Sequence, residues 1–281
     1  MPDEDHGQRL SHGLKRAMVH ASVQADRRFF DAVLQAFFKF RVYHQSLKTA
    51  EGGRDMEDVR YRHEWKHEIR YADLLAIRQR LRAVAAPDPH AREGKYLIRS
   101  LYFDNLNDRA LREKVDGVNR REKFRIRYYN GDPALIHLEK KSRVSGLGTK
   151  YSAGLTAAEA QAIVDGDLDW MLHSGRGLVQ ELYCKMRYQG LRPKTIVDYT
   201  REPFIFGPGN VRVTFDYNIR TGLNCIDFLN PDCVTIPAPE AGIILEVKWD
   251  DFLPSIIRDA VQTPGRRVTA FSKYAQCRMY D

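Results

Sequence analysis

Residues Tyr61–Arg70 read YRHEWKHEIR and alternate between two kinds of side chain. Every second residue from Arg62 onward is charged, whereas the residues between them carry rings or, at Ile69, an aliphatic group. Successive side chains of a β-strand point to opposite faces of the sheet, so this period of two predicts a strand with one charged face and one apolar face.

The same alternation recurs in four distant segments, at residues 121–129, 135–141, 210–216 and 243–249. A single charged strand face is usually a solvated one. Five such faces, whose apolar backs need cover, instead favour one closed sheet with its charges turned inward and its helices packed outside. A cavity lined by Arg and Lys with a few carboxylates suits a polyanion together with a divalent metal.

Hairpins dominate the predicted order of elements, so we expect an α+β fold with a mainly antiparallel sheet. The turn Tyr129–Pro133 joins two strands as a hairpin, and Gly207–Asn210 joins another pair. Strands are expected at residues 61–70, 96–104, 121–130, 134–142, 194–202, 210–217 and 242–249, with a weaker one near 223–235. Helices are expected at residues 71–84, 106–115, 156–165, 177–189, 252–261 and 267–280.

The chain divides into an N-terminal extension, residues 1–58, and a main domain, residues 59–281. The extension is predicted to be partly helical or disordered, because apolar residues with helical spacing at 29–38 precede a polar linker at 51–55. Its helix could contact a membrane surface. Docking on the main domain or on a second copy of the chain is the favoured interpretation.

The composition describes a basic globular protein of 281 residues, with a formal net charge of +8. This excess favours an anionic partner such as nucleic acid, anionic lipid or a phosphorylated molecule. The four cysteines lack CxxC spacing, so we expect reduced thiols and a cytoplasmic protein. No run approaches the roughly twenty apolar residues of a transmembrane helix, and no secretory signal is evident.

Three E-x-K pairs place a carboxylate and an ammonium on one strand face. They are Glu64 with Lys66, Glu139 with Lys141, and Glu246 with Lys248. Arg125 and Arg127 likewise share a face, about 7 Å apart. One E-x-K pair alone favours an internal ion pair. Three pairs with additional arginines favour a site in which carboxylates hold Mg²⁺ or Mn²⁺ and cations hold phosphates.

Two further segments carry candidate phosphate ligands. Residues 146–150 read GLGTK and lack the Walker spacing, so the glycines predict a mobile loop that delivers Lys150. Ser272 and Lys273 lie in the last predicted helix and could grip a phosphate at the mouth of the barrel, although a surface turn is the alternative.

From Tyr61 to Asp281 the chain resembles the polyphosphate polymerase domain of the vacuolar transporter chaperone (VTC) family, one of the triphosphate tunnel metalloenzymes. The resemblance rests on the segments RHEWK at 62–66, SLYFD at 100–104, KFRIR at 123–127, LEKK at 138–141, YTR at 199–201, VRV at 211–213, LEVK at 245–248 and FSK at 271–273. It implies an eight-stranded antiparallel β-barrel, the triphosphate tunnel, with helices packed outside. It also implies transfer of the ATP γ-phosphoryl group to inorganic polyphosphate with Mn²⁺ or Mg²⁺.

The resemblance also assigns roles to individual positions. The residues that resemble phosphate ligands are Lys66, Arg125, Arg127, Lys141, Lys150, Arg201 and Arg212, with Tyr199 on the face of Arg201 and Lys248 beside the metal carboxylate. Glu246 resembles that metal ligand, and Glu64 and Glu139 are the further carboxylates. Ser272 and Lys273 resemble residues at the product end.

The chain departs from the family pattern at two positions. The superfamily begins with E-x-E-x-K, but here Arg62 stands in place of the first Glu, so one metal ligand is missing on that strand. Ala270 occupies a position where eukaryotic polymerases tend to carry Lys. Neither a membrane-spanning region nor a phosphate-sensing SPX domain is evident.

The sequence leaves other functions open. A tunnel-fold triphosphatase or polyphosphatase would use the same residues for the γ-phosphate, and a non-catalytic polyphosphate-binding module would need only the cations. A nucleic-acid-binding protein would present its cations outward with exposed aromatic residues. Because the basic residues here alternate with carboxylates on faces predicted to point inward, we expect ATP or another triphosphate and polyphosphate as partners, and no nucleic acid.

Overall fold

The computed structural model describes residues 62–144, 147–263, 265 and 268–279. The predicted N-terminal extension at 1–58 and its amphipathic helix lie outside the described residues. No helix of the described part is both long enough and apolar enough to cross a bilayer.

Eight long strands build one antiparallel sheet. The strands are β1 His63–Ile69, β2 Ala86–Pro87, β3 Tyr96–Asp104, β4 Arg121–Tyr129, β5 Asp132–Val144, β6 Leu147–Leu155, β7 Arg192–Phe206, β8 Val211–Thr221, β9 Ile236–Pro237 and β10 Ile243–Trp249. The long strands follow the order β1-β10-β8-β7-β3-β4-β5-β6, and the two-residue strands β2 and β9 pair with β7 and β8. The predicted α+β fold with an antiparallel sheet of eight main strands is therefore confirmed.

The sheet curls until its two ends approach each other. Lys141 of β5 is 3.6 Å from Glu64 of β1, although β5 and β1 are separated by five strands in the sheet order. Within the described residues, the outer strands β1 and β6 do not pair with each other through their backbones. The barrel is thus a curled sheet. Side-chain contacts, and not backbone hydrogen bonds, connect its two ends in the described residues.

Six α-helices accompany the sheet within the described residues. They are α1 Tyr71–Val84, α2 Arg109–Val115, α3 Ala157–Asp165, α4 Gly177–Gln189, α5 Ser255–Ala260 and α6 Lys273–Cys277. The predicted capping box of α3 is present, because the Thr156 side chain accepts from the Glu159 backbone and Glu159 accepts from the Thr156 backbone. The last helix is much shorter than predicted.

The apolar strand faces lie outside, under the helices. Ile77 and Leu81 of α1 pack with Phe215 and Val247 in one buried cluster. A second cluster, on the opposite side of the sheet order, packs α3 and α4 on β4 and β5 and includes Phe124, Ile126, Leu138, Ile163 and Leu182. Burial of each such side chain contributes about 1.5–3 kcal/mol, so these clusters determine which strand face points inward.

The hairpin between β4 and β5 turns as predicted. Asn130 and Gly131 have φ values of 55° and 69°, the left-handed conformation that a tight hairpin turn requires of both central residues. The register that follows places Arg125 opposite Glu139 and Lys123 opposite Lys141.

Two predictions of elements were wrong. Residues 147–150 of the loop predicted at 146–150 belong to strand β6, which pairs with β5 over its whole length, and Gly146 lies outside the described residues. Its glycines, Gly148 and Gly154, obscured the alternation that marks a strand. The weaker strand predicted near 223–235 is a series of turns and bends, consistent with its Asn, Asp and Pro residues.

Candidate functional site

A cavity lies inside the curl of the sheet. It is lined by Lys66, Tyr102, Lys123, Arg125, Glu139, Lys141, Lys150, Tyr199, Arg201, Glu246, Lys248, Phe271, Ser272 and Lys273. Eight of these side chains are basic and two are acidic, so the cavity is strongly electropositive. Eleven of the fourteen site residues predicted from the sequence are among them.

Strand register explains why these residues meet. Glu246 lies directly opposite Lys66 on β1 and Thr214 on β8. Arg125 lies opposite Tyr102 on β3 and Glu139 on β5. Residues that lie directly opposite each other in an antiparallel pair share a face of the sheet, so each predicted charged face contributes to the same interior.

Glu246 occupies the centre of one wall, and its side chain is 7% exposed. Its carboxylate contacts Lys248 and lies 3.7 Å from the Nζ of Lys66. Burial alone would raise the pKa of Glu246, but Lys248, Lys66 and other nearby cations outweigh it and hold the pKa well below its usual range. Glu246 is therefore a buried carboxylate that stays ionised.

Glu139 forms the second ionic centre. Its Oε2 accepts hydrogen bonds from the Nε of Arg125 at 2.7 Å, while Lys150 lies 2.5 Å from its Oε1. Burial raises the pKa of Glu139, yet Arg125, Arg127 and Lys150 together lower it strongly. Arg125 is fully engaged, because its Nη1 also donates to the hydroxyl of Tyr102 at 2.8 Å.

Arg201, Asp216 and Lys273 make up what we call the buried ion-pair group. Asp216 is fully buried and accepts from Arg201 at 2.7 and 2.8 Å and from Lys273 at 2.5 Å. Burial raises the pKa of Asp216, but Arg201 and Lys273 overcome that effect and lower it to about 2. The sequence analysis did not select Asp216, although its alternation with Phe215 and Tyr217 in β8 places it on the inner face.

The resemblance assigned Lys273 to the product end, but the structure places it deep in the cavity. Its side chain is 11% exposed, and its Nζ lies 4.6 Å above the ring of Tyr199. Ser272 is the N-cap of α6, since its hydroxyl accepts from the Ala275 backbone at 3.4 Å. Tyr274 and Cys277 of α6 pack with Tyr102, Val197 and Tyr199, so this short helix covers one side of the interior.

Three predicted site residues do not line the cavity. Arg127 is buried behind the wall, where it donates to the Ser100 hydroxyl and the Tyr199 hydroxyl, each at 2.9 Å. Arg212 donates to Asp88 at 2.9 Å instead. Glu64 sits just beside the lining and contacts both Lys66 and Lys141.

The predicted direct role of Arg127 in catalysis therefore needs correction. Arg127 lies on the expected face, but its guanidinium is buried against the hydroxyls of Ser100 and Tyr199 and lies 3.9 Å from the Glu139 carboxylate. The geometry makes it a positioning residue for Tyr199.

Sequence reasoning missed three lining residues, namely Tyr102, Lys123 and Phe271. Lys123 shares the face of Arg125 in the KFRIR segment, a signal that was present in the alternation. Tyr102 is identified only by register, because its partner Arg125 is 23 residues away.

Burial and like charges lower the pKa values of three lysines in the cavity. Burial, only partly offset by Glu246, lowers the pKa of Lys66 to about 7, and neighbouring lysines contribute. Burial also lowers the pKa values of Lys123 and Lys141 to about 8. Burial raises the pKa of Tyr102, but Arg125 and Lys123 reverse the shift and lower it to about 7. The lowered pKa values reduce the positive charge of these three lysines and favour the ionised form of Tyr102.

The carboxylates of the cavity fit a cation that is held jointly with phosphate. Among the described residues, no group of three or more His, Cys, Asp or Glu side chains forms a metal cage. Glu64 and Glu246 nevertheless both contact the ammonium of Lys66. Mg²⁺ commonly takes one or two carboxylates and completes its shell with water and substrate phosphates, which matches this donor set.

Comparisons with known proteins give weak structural similarities. The PH1819 protein of Pyrococcus horikoshii OT3 is 16% identical over 72% of this chain and 84% of its own, with a TM-score of 0.37. A candidate adenylate cyclase of Bacillus halodurans is 14% identical over 66% of this chain and 78% of its own, with a TM-score of 0.40. These similarities are too low to assign a function. No curated protein matches the chain.

A family model gives a stronger result. The VTC domain matches residues 61–280, which includes every strand and helix described above.

Proposed function

Because this chain belongs to the VTC domain family, we propose that it is a polyphosphate polymerase that transfers the γ-phosphoryl group of ATP to a growing inorganic polyphosphate chain with Mn²⁺ or Mg²⁺. Family membership and the electropositive interior support a function with triphosphate or polyphosphate. The observation that carries the proposal is the cavity itself, in which eight basic side chains surround the buried, ionised Glu246.

Phosphoryl transfer requires positioning and neutralisation of charge more than covalent chemistry by the protein. Arg125 and Arg201 are fixed by Glu139 and Asp216, so their guanidiniums are held in place before a ligand arrives. Such fixed donors need little reorganisation when charge spreads over the phosphoryl oxygens. Glu246 and Glu64 would hold the divalent cation, which supplies additional neutralisation of phosphate charge when bound.

The buried ion-pair group favours transfer over hydrolysis. Arg201 and Lys273 are mostly shielded from water, and Phe271 and Tyr199 line the cavity beside them. A phosphate group bound there would meet basic side chains and aromatic rings more often than water. We place this reaction in the cytoplasm, where ATP is available and the four free thiols stay reduced.

Hydrolysis of a triphosphate or of polyphosphate is the alternative that an observation favours. The sheet is not closed between β1 and β6 in the described residues, and Lys141 and Lys150 near this gap are 49% and 57% exposed. Water therefore has a route to that side of the cavity.

Incubation of the pure protein with γ-labelled ATP and Mn²⁺, followed by gel separation, distinguishes these functions. We expect a ladder of labelled phosphate chains that disappears in excess chelator. Labelled free phosphate alone would identify a hydrolase. The absence of any labelled product at every metal concentration would contradict both enzyme proposals and leave a binding module.

A further inference from the structure

The basic residues of the cavity differ in whether a carboxylate holds them. Seven of the eight lie within 4 Å of an Asp or Glu side chain: Lys66, Arg125, Lys141, Lys150, Arg201, Lys248 and Lys273. Lys123 is the exception among the described residues, since its Nζ has no carboxylate within that distance. Lys123 is also half-buried, so solvent compensates its charge only in part.

The neighbours of Lys123 increase the positive charge around it. Lys123 on β4 lies directly opposite Lys141 on β5, and Lys141 lies directly opposite Lys150 on β6. We call these three residues the lysine row. Like charges directly opposite each other in a sheet are destabilising. Glu64 and Glu139 offset the charges of Lys141 and Lys150, but no carboxylate offsets that of Lys123.

Aromatic rings pack beside Lys123. The Nζ of Lys123 lies 5.6 Å from the ring centroid of Tyr102, and that ring stacks on Tyr274 with 5.1 Å between centroids. The Tyr102 hydroxyl accepts a hydrogen bond from Arg125. Lys123 therefore faces a packed aromatic ring and a cation that is already hydrogen-bonded, and no carboxylate lies beside it.

We propose that Lys123 is an anion-binding residue of the cavity, which binds a phosphate group of an inorganic polyphosphate chain beside Lys141. A phosphate at Lys123 does not share the cationic group with a carboxylate, whereas at each of the other basic residues of the lining it does. This role rests on the proposed function only in the class of ligand, which is a linear inorganic polyanion.

The test compares tripolyphosphate binding by three variants, measured by calorimetry in EDTA at constant ionic strength. Lys123→Met removes the charge and keeps the length of the side chain, and Lys123→Arg keeps the charge. Lys95→Met is the matched control, because Lys95 is exposed, lies outside the lining and has no ion pair with a described residue. A charge-assisted contact predicts a roughly tenfold to hundredfold loss of affinity in Lys123→Met.

We expect Lys95→Met to stay within about twofold of the wild type and Lys123→Arg to recover most of the affinity. Equal affinities of Lys123→Met and Lys95→Met would overturn the proposal. Thermal unfolding without ligand verifies that each variant folds. If Lys123→Met does not fold, Lys123→Gln gives the same test with a polar side chain.

These outcomes separate the inference from the proposed function. Binding that depends on Lys123 in a protein without ATP turnover would support the inference and contradict the polymerase. Turnover with unchanged tripolyphosphate affinity in Lys123→Met would do the opposite. A wild-type protein that does not bind tripolyphosphate in EDTA would overturn the inference and leave the metal-dependent polymerase standing.

Discussion

Two groups of cations in the cavity are neutralised to different extents. In the buried ion-pair group, Asp216 compensates Arg201 and Lys273 with short, well-directed hydrogen bonds. In the lysine row, three ammonium groups lie side by side, and Lys123 has no carboxylate near it. The first group is built to stay in place without a ligand, and the second is built to receive one. The following experiments change one group at a time.

Asp216→Asn should have the largest effect, on stability. It leaves two buried cations without their counter-charge, and breaking a buried ion pair from one side costs about 3–5 kcal/mol. Urea unfolding should register this loss. Glu64→Gln is the control, because Glu64 is 24% exposed and its ion pairs are correspondingly weaker. Equal free energies of unfolding for the two variants would show that the buried ion-pair group stabilises the fold no more than the exposed ion pairs of Glu64.

Glu246→Gln should abolish ATP turnover and leave the fold intact. The amide is nearly isosteric but lacks the charge that a hard divalent cation requires. We expect the loss of turnover to exceed roughly a hundredfold. Glu68→Gln, at an exposed position of the neighbouring strand β1, should retain turnover. Unchanged activity of Glu246→Gln, or wild-type turnover in excess chelator, would sink the metal proposal.

Arg125→Met and Arg127→Met should separate binding from positioning. Arg125 lines the cavity, so its loss should reduce kcat/KM by roughly tenfold to a hundredfold. Arg127 holds the hydroxyls of Ser100 and Tyr199, so its loss should lower the melting temperature more than the Arg125 change does. The opposite order of thermal stabilities would contradict the placement of Arg127 behind the wall.

The smallest expected effect is on pH dependence. The pKa values of Lys123 and Lys141 are about 8 in the folded protein, against 10.5 for an ordinary lysine. Between about pH 8 and 10.5 the unfolded chain therefore binds more protons, and the ligand-free protein should become more stable as pH rises. Tripolyphosphate affinity should fall over the same range, because the row loses charge. A tripolyphosphate affinity that stays constant up to pH 10 would show that the lysine row does not bind the ligand.

Much of this site follows from local alternation, because a period of two assigns each strand residue to a face. The charged faces of β1, β4, β5 and β10 could be predicted in this way. How deeply each side chain lies within the cavity could not be predicted in this way. Arg125 and Arg127 share a face, yet only register and the packing of Tyr199 decide that one is exposed to the cavity and the other is not.

The remaining errors come from contacts between residues that are distant in sequence. Tyr102 belongs to the site through its cross-strand pairing with Arg125, which no local pattern contains. Strand β6 was missed because its glycines weaken the alternation. The pairing of Lys141 with Lys150 was missed for the same reason. The lysine row is therefore a property of the register and could not be recognised from the sequence.

The account depends most on where a polyanion binds, and a crystal structure with tripolyphosphate and Mn²⁺ tests this directly. We predict that the phosphates lie inside the curl, between the buried ion-pair group and the lysine row, with Mn²⁺ on the Glu246 carboxylate. Phosphates bound only on the outer surface, with the ion pairs of the cavity unchanged, would contradict the account.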